Sequence, residues 1–131
     1  MSDHQHIVDV LTRYATGIDR RDWHLFRTVF TDDCAVDYGE IGAWSSADAV
    51  TDFMEQTHAM ASHTLHRLSN HVVTVDGDTA EARTYVDALI MSQDNASGVD
   101  AAGFYDDDLV RTPDGWRIAR RRFTSVRVAA V

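Results

Sequence analysis

What most constrains this chain is a change in its hydrophobic period near the middle. Up to Met60 apolar residues recur at helical spacing, and from Thr64 onward they alternate. At 131 residues, such a chain makes one domain with one core, spanning 1–131. Helices followed by a run of strands give an α+β class, with helices packed on one face of a curved sheet. A sheet that curls around its helices leaves a pocket between the two layers.

Ile7, Val10, Leu11, Tyr14, Ala15 and Ile18 define the apolar face of a first helix, about Asp3 to Asp19. Asp22 reads as the N-cap of a second, Trp23 to Phe30. Thr31-Asp32-Asp33 reads as a turn, and Cys34 to Tyr38 as a short strand halted by Gly39 and Gly42. Ser45 with Asp48 resembles a capping box opening a third helix. In that helix Ala49, Val50, Phe53, Met54, Thr57 and Met60 or Ala61 share a face. Thr64–Val75 and Thr79–Met91 read as strands joined by a hairpin at Asp76-Gly77-Asp78. Ala101–Arg111 and Trp116–Val128 follow, joined by the turn Thr112-Pro113-Asp114-Gly115.

Charge excludes some partners. The formal net charge of −9 repels a phosphate backbone and anionic lipid, so neither nucleic acid nor membrane is an expected partner. No window approaches the roughly 18 apolar residues of a membrane span. The N-terminal Met1 to His6 is polar without a hydrophobic signal core, so a cytoplasmic location is expected. Cys34 is the single cysteine, which leaves no intrachain disulfide and no thiolate cluster.

Asp19 carries the first chemical signal. It lies four residues after Ala15 and eight after Leu11, at the edge of the apolar stripe, while Arg20 and Arg21 turn away. A carboxylate there needs a partner. On the first long strand His66, Leu68, Asn70, Val72 and Thr74 share a face without charge, the better candidate for the helix-covered side. That choice makes His66 the candidate partner of Asp19. On the last strand Arg117, Ala119, Arg121 and Phe123 alternate with Trp116, Ile118, Arg120 and Arg122, and parity leaves open which set faces inward. One of Asp106, Asp107 and Asp108 can face the interior, although a solvated edge is the plainer reading. His58, His63, His66 and His71 crowd one segment, but alternation puts His66 and His71 on opposite faces and no zinc-ligand motif is present. No metal or cofactor is expected.

Five segments carry a family resemblance: Arg13 to Trp23, Phe30 to Cys34, His66-Arg67-Leu68-Ser69-Asn70-His71, Asp76-Gly77-Asp78-Thr79-Ala80, and Asp114 to Arg121. Together they resemble a SnoaL-like domain of the nuclear-transport-factor-2-like superfamily over essentially the whole chain. The resemblance implies a cone-shaped fold with a deep pocket. Its nearest catalytic pattern is the Asp–His dyad of scytalone dehydratase and hexachlorocyclohexane dehydrochlorinase, which by position falls on Asp19 and His66. An Arg near the dehydrochlorinase dyad falls on Arg121. That enzyme has Lys where this chain has Tyr14, and a hydroxyl there suits polarising a carbonyl or protonating a leaving oxygen. The second His of the dehydratase has no counterpart.

The expectation is a cofactor-free lyase or isomerase acting on a small, mostly apolar, cyclic hydroxy- or keto-compound. His66 is the expected base, Asp19 its orienting partner, Tyr14 the hydroxyl donor, and Arg121 an electrostatic brace for Asp19. Asn70, Tyr38, Trp44 and Phe53 are the expected substrate-binding residues. The alternatives are a non-catalytic small-molecule-binding or oligomerisation module, or a polyketide-cyclase-like enzyme. The apolar C-terminal run Val126, Val128, Ala129, Ala130 and Val131 points to a homo-oligomer, a dimer or trimer.

Overall fold

The computed structural model describes all 131 residues. Helix α1 (Asp3–Asp19) starts at Ser2, whose Oγ accepts from the Gln5 N–H at 3.2 Å. Its buried face is Ile7, Val10, Leu11, Tyr14, Ala15 and Ile18, as its spacing requires. The helix ends in two backbone bonds that satisfy its last carbonyls: Asp22 N–H to Gly17 O (2.8 Å) and Arg21 N–H to Ile18 O (2.9 Å). Arg21 therefore sits at φ 57°, where glycine is usual.

Helix α2 (Trp23–Arg27) is shorter than its sequence suggests. The chain is already docked on the sheet at Val29, whose carbonyl accepts from the Ile118 N–H at 2.7 Å. Strand β1 (Phe30–Asp37) therefore absorbs Thr31-Asp32-Asp33, which form an irregularity in its pairing and not a turn. A 3-10 turn (Gly39–Ile41) and the two-residue strand β2 (Ala43–Trp44) lead to α3 (Ala47–His58). The N-cap of α3 is Ser46, one residue later than Ser45; its Oγ accepts from Ala49 N–H. Asp48 instead accepts from Arg27 Nε at 2.7 Å. The buried face of α3 is Ala47, Val50, Thr51, Met54 and His58, offset from the side that carries Ala49, Phe53 and Thr57.

Strands β3 (Ala61–Asp76), β4 (Thr79–Ser92), β5 (Gly98–Thr112) and β6 (Gly115–Ala130) form an antiparallel meander. β1 runs parallel to β6, so the six-stranded sheet is mixed, in the order β2-β1-β6-β5-β4-β3. The sheet is curved and unclosed, and the helices pack in its concavity. Their apolar faces meet Val36, Val86, Tyr105, Leu109, Trp116 and Ile118 in one core. Cys34 is fully buried there. No helix is long and apolar enough to cross a membrane.

Two of the sheet's bulges reset the faces of residues near the site. In β3 the register shifts between Ser69 and Val72, with Asn70 at φ 55°. His66 and Leu68 point inward, but beyond the bulge it is His71 and Val73 that do so, while Val72 and Thr74 turn out. In β6 the shift beside Asp108 and Leu109 leaves Ala119 unpaired. Trp116 and Ile118 face in before it, Arg121 after it. Each bulge inverts parity, so strict alternation cannot be carried across either.

Candidate active site

Asp19 ends α1 directly over β3. Its Oδ1 accepts from His66 Nδ1 at 2.7 Å and from Thr64 Oγ1 at 2.9 Å, and its Oδ2 accepts from the His66 backbone N–H at 2.8 Å. Burial pushes this carboxyl up. The hydrogen bonds from the His66 ring and backbone, with that from Thr64, outweigh burial and hold it below the ordinary carboxylate range. An ionised carboxylate only accepts, so Nδ1 carries a proton, and in the neutral imidazole Nε2 is then the bare lone pair. The His66 side chain is 7% exposed.

Arg21 completes the arrangement, although the sequence reading turned it away from Asp19. Its left-handed backbone swings the guanidinium back over the helix end. There Nη1 donates to Thr64 Oγ1 and Ile18 O, both at 2.8 Å, and Nη2 donates to Ser62 O at 2.9 Å. Since Thr64 receives from Arg21, its own proton is committed to Asp19. A non-glycine residue at positive φ just after a helix is the sequence-invisible part of this site.

His66 borders a cavity of about 340 Å³. Its wall is mainly apolar, with Tyr14, Tyr38, Tyr105, Thr57, His58 and His66 as its polar groups and Phe53 and Phe123 among the apolar ones. The Tyr14 and Tyr38 hydroxyls are hydrogen-bonded to each other. Burial, then the neighbouring Tyr14 and Tyr105, push the Tyr38 hydroxyl well above the usual phenol value. A larger open trough of about 690 Å³, lined largely by outward-facing strand residues, contains neither Asp19 nor His66.

Three sequence-derived site residues stand elsewhere. Asn70 is exposed at the β3 bulge and does not border the cavity. Trp44 also lies outside the wall; it stacks behind Phe53 (ring centroids 4.4 Å apart) and edge-on to Tyr38 (5.8 Å). Arg121 does not brace Asp19. It is fully buried and paired with Asp107, Nε to Oδ1 at 2.7 Å and Nη2 to Oδ2 at 2.9 Å. Its Cζ lies 4.3 Å from the Tyr14 ring centre and 3.8 Å from that of Tyr105. Asp107 is thus the interior member of the acidic triplet, and Arg121 a support beneath the tyrosines. His71 faces inward with His66, its Nδ1 2.9 Å from Thr84 Oγ1. No group of three His, Cys, Asp or Glu side chains is gathered to hold a metal ion.

A family model for the SnoaL-like domain matches residues 1–122. The uncharacterized protein Rv2910c of Mycobacterium tuberculosis H37Rv is 35% identical over 123 residues, covering 92% of this chain and 84% of the relative. A provisionally assigned scytalone dehydratase from Novosphingobium aromaticivorans DSM 12444 superposes with TM-score 0.89 at 21% identity, over 96% of this chain and 85% of its own. Hexachlorocyclohexane dehydrochlorinase LinA-type3 from Novosphingobium barchaimii LL02 does so with TM-score 0.86 at 15% identity, over 98% and 89%. At these identities the two structures share the fold with this chain.

Proposed function

The chain belongs to the SnoaL-like domain family, and on that premise we propose that it is a cofactor-free, dehydratase- or isomerase-type enzyme. Its substrate is a small, mostly apolar, cyclic hydroxy- or keto-compound. The observation that carries this reading is the double attachment of His66 to Asp19, through ring and backbone, at the wall of an apolar cavity.

His66 Nε2 takes a proton from the carbon next to a carbonyl, and the Asp19 carboxylate stabilises the imidazolium that forms. Of the two tyrosine hydroxyls, the one accepting from the other keeps its own proton free to hydrogen-bond the developing enolate oxygen. In a β-hydroxy ketone the electron pair then expels the hydroxyl. The proton on His66 leaves with it as water, and His66 returns to neutral. In an isomerisation the same proton returns to a different carbon. Asp19 and Arg21 are positioning residues, and Phe53 packs against the substrate ring.

The test is a screen of cyclic hydroxy-ketones and dehydratable alcohols, followed by His66→Ala on whichever compound turns over. Loss of turnover with an unchanged circular dichroism spectrum is expected; retained turnover overturns the assignment. Ligand binding without turnover by any compound would favour a binding module. The exposed Val126, Val128 and Val131 support a homo-oligomer, a dimer or trimer, which light scattering at micromolar concentration checks.

A further inference from the structure

The last residue of α3, His58, is 8% exposed and forms part of the same cavity wall. Its Nδ1 lies 2.8 Å from the Met54 carbonyl oxygen one turn back. A carbonyl only accepts, so Nδ1 carries the proton and Nε2 is a bare lone pair. With Nδ1 held against its own helix, the opposite ring edge faces away from α3. Trp23 braces the ring on one side (centroids 5.9 Å apart), and His66 stands 6.2 Å away across the cavity wall. Nε2 is buried and has no hydrogen-bond partner in the protein. A buried acceptor without a donor is costly and calls for one. Burial, opposed by the Met54 hydrogen bond and helped by smaller pushes from His66 and Arg21, lowers the pKa of this imidazole and favours its neutral, accepting form.

We propose that His58 Nε2 is a specificity-determining acceptor for a hydroxyl carried by the substrate. This rests on the cavity being the substrate site, as proposed above. Two imidazoles with the same fixed tautomer then divide the work. His66 receives a proton from carbon, and His58, its ring centre 6.2 Å from that of His66, holds an O–H. The chemical class narrows to cyclic compounds bearing a free hydroxyl in addition to the group that activates the carbon. An alkyl ether or methyl in that place leaves Nε2 unpaired and is rejected.

The matched probes are 2-naphthol and 2-methylnaphthalene, which differ by a hydroxyl against a methyl. The wild-type protein is expected to bind the naphthol at least about tenfold more tightly, and His58→Phe to abolish that preference. Nitrogen-15 NMR of the wild-type protein needs no variant: the His58 Nε2 resonance should move upfield with the naphthol and stay fixed with the methyl compound. A preference that survives in His58→Phe, an unmoved Nε2 resonance, or failure of both probes to bind overturns the proposal. Catalysis is judged separately through His66→Ala. The two readings can therefore fail independently.

Discussion

Asp19 holds His66 at two points, the ring Nδ1 at 2.7 Å and the backbone N–H at 2.8 Å. One carboxylate thereby fixes both the position of the strand and the tautomer of the side chain it carries. Helix end and strand are registered by the same group that sets the imidazole tautomer. Thr64, polarised by Arg21, occupies the remaining lone pair on Oδ1 and stops the carboxylate from rotating.

Asp19→Asn keeps the shape and inverts the logic. An Asn oxygen still accepts from the His66 backbone N–H, but its amide N–H then meets Nδ1, which must become an acceptor. The proton moves to Nε2 and the base disappears. Turnover should fall by about 10²–10⁴ with the fold intact. Nitrogen-15 NMR should show His66 changing from the Nδ1–H to the Nε2–H tautomer; an unchanged tautomer would refute this account.

The Arg121–Asp107 pair is a second, wholly internal relationship. Burial pushes the Asp107 carboxyl up, and the guanidinium beside it opposes that push. Removing one partner strands the other charge in the core. Asp107→Ala should cost about 3–5 kcal/mol, while the double change Asp107→Leu with Arg121→Met should recover most of it. Urea unfolding of the two variants against wild type decides; a double variant as unstable as the single one contradicts this.

Asn70 tests the β3 bulge. At φ 55° it sits where only glycine, asparagine and aspartate are at ease. Asn70→Gly should stay within about 0.5 kcal/mol of wild type, and Asn70→Val should lose about 1–2 kcal/mol. Equal denaturation midpoints for the two would argue against a left-handed residue there.

The fold of this domain was legible from its periods, while the site was legible only in part. Asp19 lies on a helix whose face follows from spacing alone, and His66 lies in the stretch Thr64–Ser69, which keeps one register with β4. Asn70, His71 and Arg121 lie at or beyond a bulge, where an extra residue inverts every later side chain without changing composition. Arg21 escaped because a long side chain at a left-handed position goes back the way the chain came. His58 was hidden because the apolar pattern of α3 favours Phe53 and Thr57, whereas the face that packs inward is Ala47, Val50, Thr51, Met54 and His58.

Acid should destabilise the protein sooner than its carboxylates alone require. Burial above all lowers the His58 pKa from its ordinary 6.5, so the fold favours the neutral ring. The contribution is complete above pH 6.5, the ordinary value, and is lost as pH falls through the lower folded value, because the unfolded chain binds a proton the folded one refuses. Asp19 adds a loss of the same sign below its ordinary 3.8. Thermal midpoints should drop between pH 7 and 5, and His58→Phe should flatten that slope; an equal slope in both proteins refutes the assignment.

Cys34 gives the molecule a built-in clock. Burial, and next the adjacent Asp33, raise its thiol to about 11, so the intact protein offers almost no thiolate to an alkylating reagent. Labelling must wait for β1 to lift from β6 and the core. In the native state its rate counts those openings. Ligand seated in the cavity should slow that count, which reads occupancy without knowledge of the reaction.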